Sequence, residues 1–306
     1  MLISNSIFNV PQISGLQGFW DSTDSSSMTK AYVNITETAT ATSGTNTITA
    51  SGSVANIIEI GMIIRVKGTD LYTVSNVSTV TITTVETVSQ NYVADAIALD
   101  KVSQWNDKSG KGNHATQAVA ARQPVFNPTG KNGKGTLFFN GVNDLILPST
   151  IYLNLPNADS TWFTIAKRNS ETGGSNRLVG MSAAGSTRFR IDYQATAGNI
   201  GFLNRTATTG GVSFTGATNT NFNIIRSRHN STTLATTANN AAEVTSADGQ
   251  NVSNCDEGVF GRFLDNGTLG LIGSMGSISC YNRSLVPYEI SVIEKNLSNI
   301  FAITIA

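Results

Sequence analysis

The chain has 306 residues, and its 20 Lys plus Arg balance its 20 Asp plus Glu, so the formal net charge is zero. Charged residues make up 13% of the chain, about half the usual share, whereas the hydrophobic share of 40% is ordinary. The lack of a basic surplus argues against a dedicated nucleic-acid binder, because nothing would neutralise a phosphate backbone. With two Cys and two His, a Cys/His zinc centre is also disfavoured. No run of about 20 apolar residues predicts a membrane span.

The first 20 residues contain neither Lys nor Arg, and no apolar run of the length that a signal peptide needs. If Met1 is the true start, this pattern predicts a protein that does not leave its cell by the general secretory route. The low charge and the abundance of Thr, Ser and Asn are nevertheless typical of surfaces that face the outside. A virus particle that is assembled in the cytoplasm and released by lysis would satisfy both observations.

The first part of the chain predicts two different kinds of β-structure. Residues 16–20 predict a buried strand, which a polar turn at 21–27 closes. From 28 to 97 the composition shifts to Thr, Val and Ile, and no apolar 3.6-residue period appears. Ile64 and Val66 show the period-2 alternation of a half-buried strand. This segment predicts a small, separate β-unit of about 70 residues.

From residue 98 onward, short apolar segments recur between Gly, Asn and Asp turns. The predicted strands include the segments 135–141, 162–166, 188–193, 200–202, 222–225, 258–261 and 276–281. A strand every ten to twenty residues with turn signals between is typical of a β-sandwich. Near the end, apolar residues at helical spacing from 286 to 297 predict one helix, with Pro287 in its first turn.

Three separated segments resemble one family in both order and spacing. They are 15–26, then 102–117 with 137–144, and finally 275–285 running into 289–294. The resemblance is to the laminin-G-like, concanavalin A-like jelly-roll domain, in the form common in bacteriophage structural proteins and bacterial surface proteins. It implies an all-β fold: a concanavalin A-like jelly-roll β-sandwich with one short C-terminal helix. This fold hosts lectins, hydrolases and inert structural modules, so the resemblance is weak for function.

The segment 28–97 departs from that family and resembles a small β-barrel-like module seen in phage virion proteins. The predicted organisation therefore has three parts. Residues 1–11 form an N-terminal attachment segment, residues 12–27 and 98–306 form the laminin-G-like jelly-roll sandwich, and 28–97 is an inserted β-module.

Catalysis on this fold requires carboxylates that converge on a cleft. The concanavalin A-like glucanases carry them on one strand face, in a Glu-x-Asp-x-x-Glu run or close to it, which is absent here. Asp256 and Glu257 are adjacent, so on a strand they would point to opposite faces. Glu289 and Glu294 are expected on the solvated face of the terminal helix. We therefore predict no enzyme and no catalytic residues.

The remaining reactive side chains are predicted to be structural. His114 and His229 are expected as exposed turn or strand-edge residues, since neither lies near a nucleophile elbow. Cys280 shares strand parity with Ile278 and is expected as a small buried residue. Three tryptophans could stack on sugars, but each occupies a strand position among alternating apolar residues, which favours core packing: Trp20, Trp105 and Trp162.

Calcium is the one ion that the resemblance raises, because jelly-roll domains of this type often bind it through loop oxygens. The candidate oxygens in the matching motifs belong to Asp107, Asn113, Asn143 and Asp144. Asp and Asn are also simply good turn residues. We therefore predict no committed metal site and no other cofactor.

The function predicted from these observations is that of a non-enzymatic bacteriophage virion structural protein, located in the virion. It would be a head-decoration, head-fibre or tail-fibre subunit that displays a lectin-like sandwich. Two alternatives stay open: a glycan-binding adhesin or lectin module that recognises a host surface polysaccharide, and a glycoside hydrolase on the same fold.

The predicted partners are other virion proteins of the capsid or tail, a homo-oligomer for which a trimer is the guess, and a host-surface glycan. Nucleic acid and membrane are not among them. Residues 1–11 carry five apolar side chains, Leu2, Ile3, Ile7, Phe8 and Val10, and no charged one, so the segment is expected either to attach to a partner or to pack back as an extra edge strand. Edge strands of the inserted module are the second expected attachment surface.

Overall fold

The computed structural model describes residues 13–155, 159–169, 176–183, 186–196, 198–204, 211–217, 220–230, 233–247, 255–262 and 270–306. The predicted attachment segment 1–11 lies outside these residues. Strands dominate throughout the described ranges, which confirms the predicted all-β class. None of the helices in these ranges is long and apolar enough to cross a membrane.

The strands follow one another through the described ranges. The first half contains β1 (Leu16–Asp21), β2 (Met28–Ala41), β3 (Thr47–Ala50), β4 (Ile63–Val66), β5 (Asp70–Val77), β6 (Thr81–Thr84), β7 (Tyr92–Trp105), β8 (Ala115–Thr116), β9 (Val125–Lys131), β10 (Lys134–Asn140) and β11 (Leu145–Ile146). The second half contains β12 (Ser160–Arg168), β13 (Asn176–Ala183), β14 (Ser186–Tyr193), β15 (Asn199–Asn204), β16 (Val212–Thr215), β17 (Asn223–Asn230), β18 (Thr233–Ala238), β19 (Val244–Ser246), β20 (Glu257–Phe260) and β21 (Ile272–Tyr281).

Two α-helices accompany the described strands. The predicted C-terminal helix is confirmed as α2 (Pro287–Phe301), while α1 (Ser149–Tyr152) is a single turn that the sequence did not predict. Two short 3-10 turns lie at Ser25–Ser27 and Ala120–Arg122. Pro287 occupies the first turn of α2, and the Glu289 carboxylate accepts a hydrogen bond from the Val286 backbone N–H at 3.1 Å.

Two antiparallel sheets face each other and form the sandwich, and β9, which pairs with β10 of the first and with β7 of the second, connects them. In the first sheet, β21 pairs with β12 on one side and with β1 and β10 on the other, and β17, β18 and β19 follow β12. In the second, the order is β2, β7, β8, β11, β20, β13, β14, β15 and β16. Aromatic pairs bridge the two sheets: Trp20 contacts Phe260 at 5.0 Å between ring centroids, and Trp162 contacts Phe189 at 5.1 Å.

The prediction that the tryptophans belong to the core is confirmed. Trp20, Trp105 and Trp162 are all fully buried, and all three pack in the cluster between the sheets. Cys280 lies in the same cluster, also fully buried, as expected for a small apolar residue. Burial raises the pKa of its thiol, so it is an inert core group.

Helix α2 covers the outer face of the first sheet. Its buried residues include Ile290, Ile293, Leu297 and Phe301, which pack in one cluster with residues of β12 and β17. The close approach of Phe301 requires Gly276 on β21, because a Cβ there would lie 2.6 Å from the Phe301 ring. One face of the sandwich is therefore closed by the chain itself.

The predicted barrel-like module is a closed six-stranded barrel in the order β2, β3, β6, β5, β4 and β7. It closes because β7 pairs with β2 on one side and with β4 on the other. Ile48, Ile64 and Leu99 are fully buried inside it. The expectation of free edge strands in this module is wrong, since a closed barrel, whose residues are all described here, has no open edge.

Strands β2 and β7 have 14 residues each and serve both units. Met28, at the start of β2, packs in the sandwich core, whereas Ala39, near its end, packs in the barrel core. Strand β7 runs through the predicted boundary between residues 97 and 98 without a break. Val125 and Phe138, from sandwich strands, complete the barrel core. The division at 28–97 stays a prediction. Strands β2 and β7 form a two-stranded ribbon that belongs to both units.

Candidate functional site

The two histidines have opposite environments. His114 is exposed in its turn, as predicted, and its Nδ1 accepts a hydrogen bond from the Asp107 backbone N–H at 3.0 Å. The prediction for His229 is wrong: it is fully buried. Its strand, β17, is paired on both sides, with β12 and with β18, so it is an interior strand of the first sheet. Neither histidine lines one of the pockets described below.

The prediction that Glu294 lies on a solvated helix face is also wrong, because it is fully buried. Arg226 of β17 donates hydrogen bonds to Glu294 and, at 2.9 Å, to Glu243, and Arg228 donates to Glu243 at 2.8 Å. Burial raises the pKa of Glu294, and Arg226 opposes this rise. Burial also works against the charge of Glu243, but Arg228 and Arg226 hold its pKa below the usual value. This cluster fastens α2 to the sheet.

The candidate calcium oxygens are occupied by protein donors. Asp107 accepts hydrogen bonds from the backbone N–H groups of Phe19 and Ser109, both at 2.8 Å, and of Asn113 at 3.0 Å. Asp144 is fully buried and paired with Arg122. Oxygens that accept N–H bonds, or that face a guanidinium, do not fit a calcium site. The described ranges contain no group of three or more His, Cys, Asp or Glu that could hold a metal ion.

One open pocket on the barrel brings two carboxylates near each other. It has a volume of about 410 Å³ and is lined by Asp70 and Glu86, among others. Hydrogen bonds from Tyr92 and Gln90 lower the pKa of Asp70. Slight burial opposes the charge of Glu86, but hydrogen bonds from Thr73 leave its pKa lowered as well. A glycosidase needs one carboxyl of raised pKa as the acid, so this pair does not suit the reaction.

The most promising binding site is a groove where the barrel meets the sandwich, which we call the junction groove. Its cavity has a volume of about 280 Å³. It is lined by Thr23, Ser25, Lys30, Tyr32, Ile63, Asp100, Phe126, Pro128, Gly133 and Gly135. Lys30 and Tyr32 are two residues apart on β2 and so share a face. Asp100 on β7 is the cross-strand partner of Tyr32, which places a carboxylate beside the ring.

Charged and aromatic side chains alternate along this groove. The Lys30 Nζ lies 3.4 Å from Asp100 Oδ2 and 4.1 Å from the centre of the Phe126 ring. Beside the groove, the Arg65 guanidinium carbon lies 3.8 Å from the centre of the Tyr32 ring. Burial raises the pKa of Asp100 although Lys30 and Arg65 oppose it. Burial, followed by the Asp100 charge, also raises the pKa of Tyr32.

None of the groove's charged residues was singled out by sequence. Lys30 and Asp100 lie on strands, where the residue pattern predicts structure only, whereas the oxygens that suggest chemistry lie in loops. The signal that existed was Lys30 and Tyr32 at period-2 spacing, with both side chains on one face. The pairing that brings Asp100 to them joins residues about 70 positions apart and follows only from strand register.

Comparison with known proteins gives likeness of fold only. No family model and no curated protein matches the chain. A sialidase of Trypanosoma rangeli, solved with the inhibitor DANA, is 14% identical with a TM-score of 0.46, and the match covers 63% of this chain and 30% of that one. The CBM40 of a Ruminococcus gnavus IT-sialidase, bound to α2,3-sialyllactose, is 16% identical with a TM-score of 0.41, over 48% of this chain and 85% of that one.

A third solved structure is the binding domain of botulinum neurotoxin DC in complex with rat synaptotagmin II. It is 9% identical with a TM-score of 0.42, and the match covers 63% of this chain and 49% of that one. The chain thus spans less than a third of the length of the sialidase and about half that of the neurotoxin domain. At these identities and TM-scores the likeness concerns the general β-sandwich fold, and no function follows from it.

Proposed function

We propose that the chain is a non-enzymatic bacteriophage virion structural protein, a head-decoration, head-fibre or tail-fibre subunit that displays its lectin-like sandwich. The observation that carries this proposal is the way in which the two β-units are fixed together. Strands β2 and β7 continue from one unit into the other. The barrel is closed by strand pairing, and α2 covers one face of the sandwich. We expect a stiff architecture of this kind in a surface component of a particle.

Polar contacts outside the ribbon of β2 and β7 also join the barrel to the sandwich. Glu59 of the barrel pairs with Lys167 of β12 at 3.1 Å and accepts a hydrogen bond from Ser274 of β21 at 2.7 Å. Asn127 of β9 donates to the Ile60 carbonyl at 2.9 Å. These contacts oppose hinging about the ribbon, because a bend would separate charged partners. They support a fixed orientation of the barrel on the sandwich.

The non-enzymatic part of the proposal is supported by what the carboxylates do. Asp107, Asp144, Glu243 and Glu294 hold loops and the helix in place. The junction groove has a single carboxylate in its lining, and the pocket with two carboxylates has lowered pKa values for both. We therefore expect that incubation with polysaccharides releases no reducing ends.

Mass spectrometry of purified particles tests the virion proposal. Particles would be banded from lysed cultures of the virus whose genome encodes the chain, and washed in high salt. We expect its peptides to copurify with the major capsid protein at constant ratio across the band. Absence from particles, together with detection in the lysate supernatant, would remove the proposal.

The second candidate function is glycan binding, and the junction groove favours it. The groove combines an aromatic wall, from Tyr32 and Phe126, with a charged pair, Lys30 and Asp100, that can exchange hydrogen bonds with hydroxyl groups. Saturable binding on a glycan array, weakened by Tyr32→Ala, is the expected result. If the chain binds no saccharide on the array, glycan binding is contradicted, whereas the virion proposal is unaffected.

A further inference from the structure

We infer that the junction groove binds an acidic saccharide, one whose carboxylate is received by Arg65 and whose hydroxyl groups contact Asp100 and Lys30. This inference rests on glycan binding, the second candidate function above. The groove has a volume of about 280 Å³, which is near the lower end of small-molecule sites and suits a single sugar residue. The rest of an oligosaccharide would extend into solvent.

The charge around the groove is positive, although the chain as a whole is neutral. Lys30 and Arg65 face one carboxylate, that of Asp100. Lys131 ends β9 and Lys134 begins β10, on either side of the turn that contains the groove-lining Gly133. Neither lysine has an ion-pair partner in the parts of the chain that the structure describes.

Acidic residues near the other wall do not cancel this surplus. Asp24 lies between Thr23 and Ser25 of the lining, but it pairs with Lys108 at 2.9 Å. Asp21 is also within 3.9 Å of the Lys108 ammonium. These two carboxylates share one cation, Lys108, so they leave a single negative charge against the four cations around the groove, and the remaining positive charge favours an anionic ligand.

Arg65 is the residue best prepared to receive a carboxylate. Its guanidinium is held against the Tyr32 ring, which fixes the plane of the fork. Arg65 lies at the edge of the groove and not in its lining, and its buried Nε cannot reach a ligand, so the two terminal nitrogens are the available donors. Within the described ranges no side-chain hydrogen bond or ion pair of Arg65 is found. A planar guanidinium binds a carboxylate through two parallel hydrogen bonds, which an ammonium group cannot do. Lys30, by contrast, already has Asp100 as a partner.

Isothermal titration calorimetry with matched oligosaccharides tests this inference. The probes are a trigalacturonate and the neutral galactotriose, at low and moderate salt, on the full chain. We expect the acidic probe to bind at least tenfold more tightly than the neutral one, with affinity falling as salt rises. Arg65→Gln should remove this preference, and Arg65→Lys should recover only part of it, because the fork is lost.

Lys295→Gln is the matched control, because it removes one exposed positive charge that does not line the groove. It should leave both affinities unchanged. Equal binding of the two probes, unaffected by Arg65→Gln in a variant that melts like the parent, would overturn the acidic preference while glycan binding stands. Binding of the acidic probe that Arg65→Gln and Lys295→Gln weaken equally would show attraction by overall charge and would also overturn the assignment to the groove. If neither probe binds and a glycan array is also negative, glycan binding itself fails.

Discussion

At the scale of single residues, buried ion pairs hold α2 to the sheet, although the chain has few charged residues. Arg226 and Glu294 are both buried, and Arg226 also reaches Glu243. Such pairs contribute little over apolar packing, but the loss of one partner leaves a charge in a medium that solvates it poorly. The burial of Glu294 could have been predicted from the sequence, because Glu294 lies four residues after Ile290 and three before Leu297, on the same helix face as both.

Glu294→Ala should therefore lower the free energy of unfolding by about 3 kcal/mol, since Arg226 keeps only Glu243 as a partner. Urea unfolding followed by tryptophan fluorescence would measure it. Glu257→Ala, at an exposed position, serves as control and should change stability by less than about 0.5 kcal/mol. Equal effects of the two variants would contradict a buried pair.

Asp100 gives a pH-dependent prediction. Its pKa is raised in the folded protein, chiefly by burial, so ionisation at neutral pH costs folded-state stability that returns as the pH falls through that pKa. Asp100→Asn mimics the protonated carboxyl. We expect its melting temperature to exceed that of the parent at pH 7, with the difference shrinking towards pH 4. A melting-temperature difference that stays constant or grows on acidification would show that the ion pair with Lys30 stabilises the charged Asp100 by more than burial destabilises it.

At the scale of elements, close packing of α2 on the first sheet depends on one glycine. A Cβ at position 276 would meet Phe301 at 2.6 Å, and Phe301 is fully buried. Gly276→Ala should destabilise the protein by about 1–3 kcal/mol through overpacking. Gly52→Ala is the control, since a Cβ there finds only ordinary contacts at 3.5 Å or more. Equal melting temperatures of the two variants would mean that α2 shifts to accept the added Cβ with no loss of stability.

The sequence largely predicts which segments form strands and which form helices, but it does not predict which strands pair with each other. Period-2 alternation predicted the strand containing Ile64 and Val66, and helical spacing predicted α2. His229 was missed although it shares strand parity with the buried Ile225, because its polar neighbours suggested an edge. The junction groove was missed for a different reason. It exists only where β2, β7, β9 and β10 meet, and that meeting depends on register, which local sequence does not encode.

At the scale of the whole molecule, the barrel and the sandwich should unfold together. Phe138 of β10 is fully buried in the barrel core while its strand belongs to the first sheet. Phe138→Ala should cost about 3–5 kcal/mol and separate the two units, so that calorimetry records two transitions in place of one. Phe202→Ala, within the sandwich core alone, should cost a similar amount and keep a single transition. Two transitions in the parent protein would contradict this coupling.

Outward display on a virus particle can be tested by immunogold electron microscopy of intact particles. The antibody would be raised against the folded chain and checked for binding to α2 and the turn between β9 and β10. We expect gold at regular positions on the surface of intact, washed particles, with labelling abolished by excess free protein. Labelling that appears only after the particles are disrupted, or that is confined to cell debris, would contradict it.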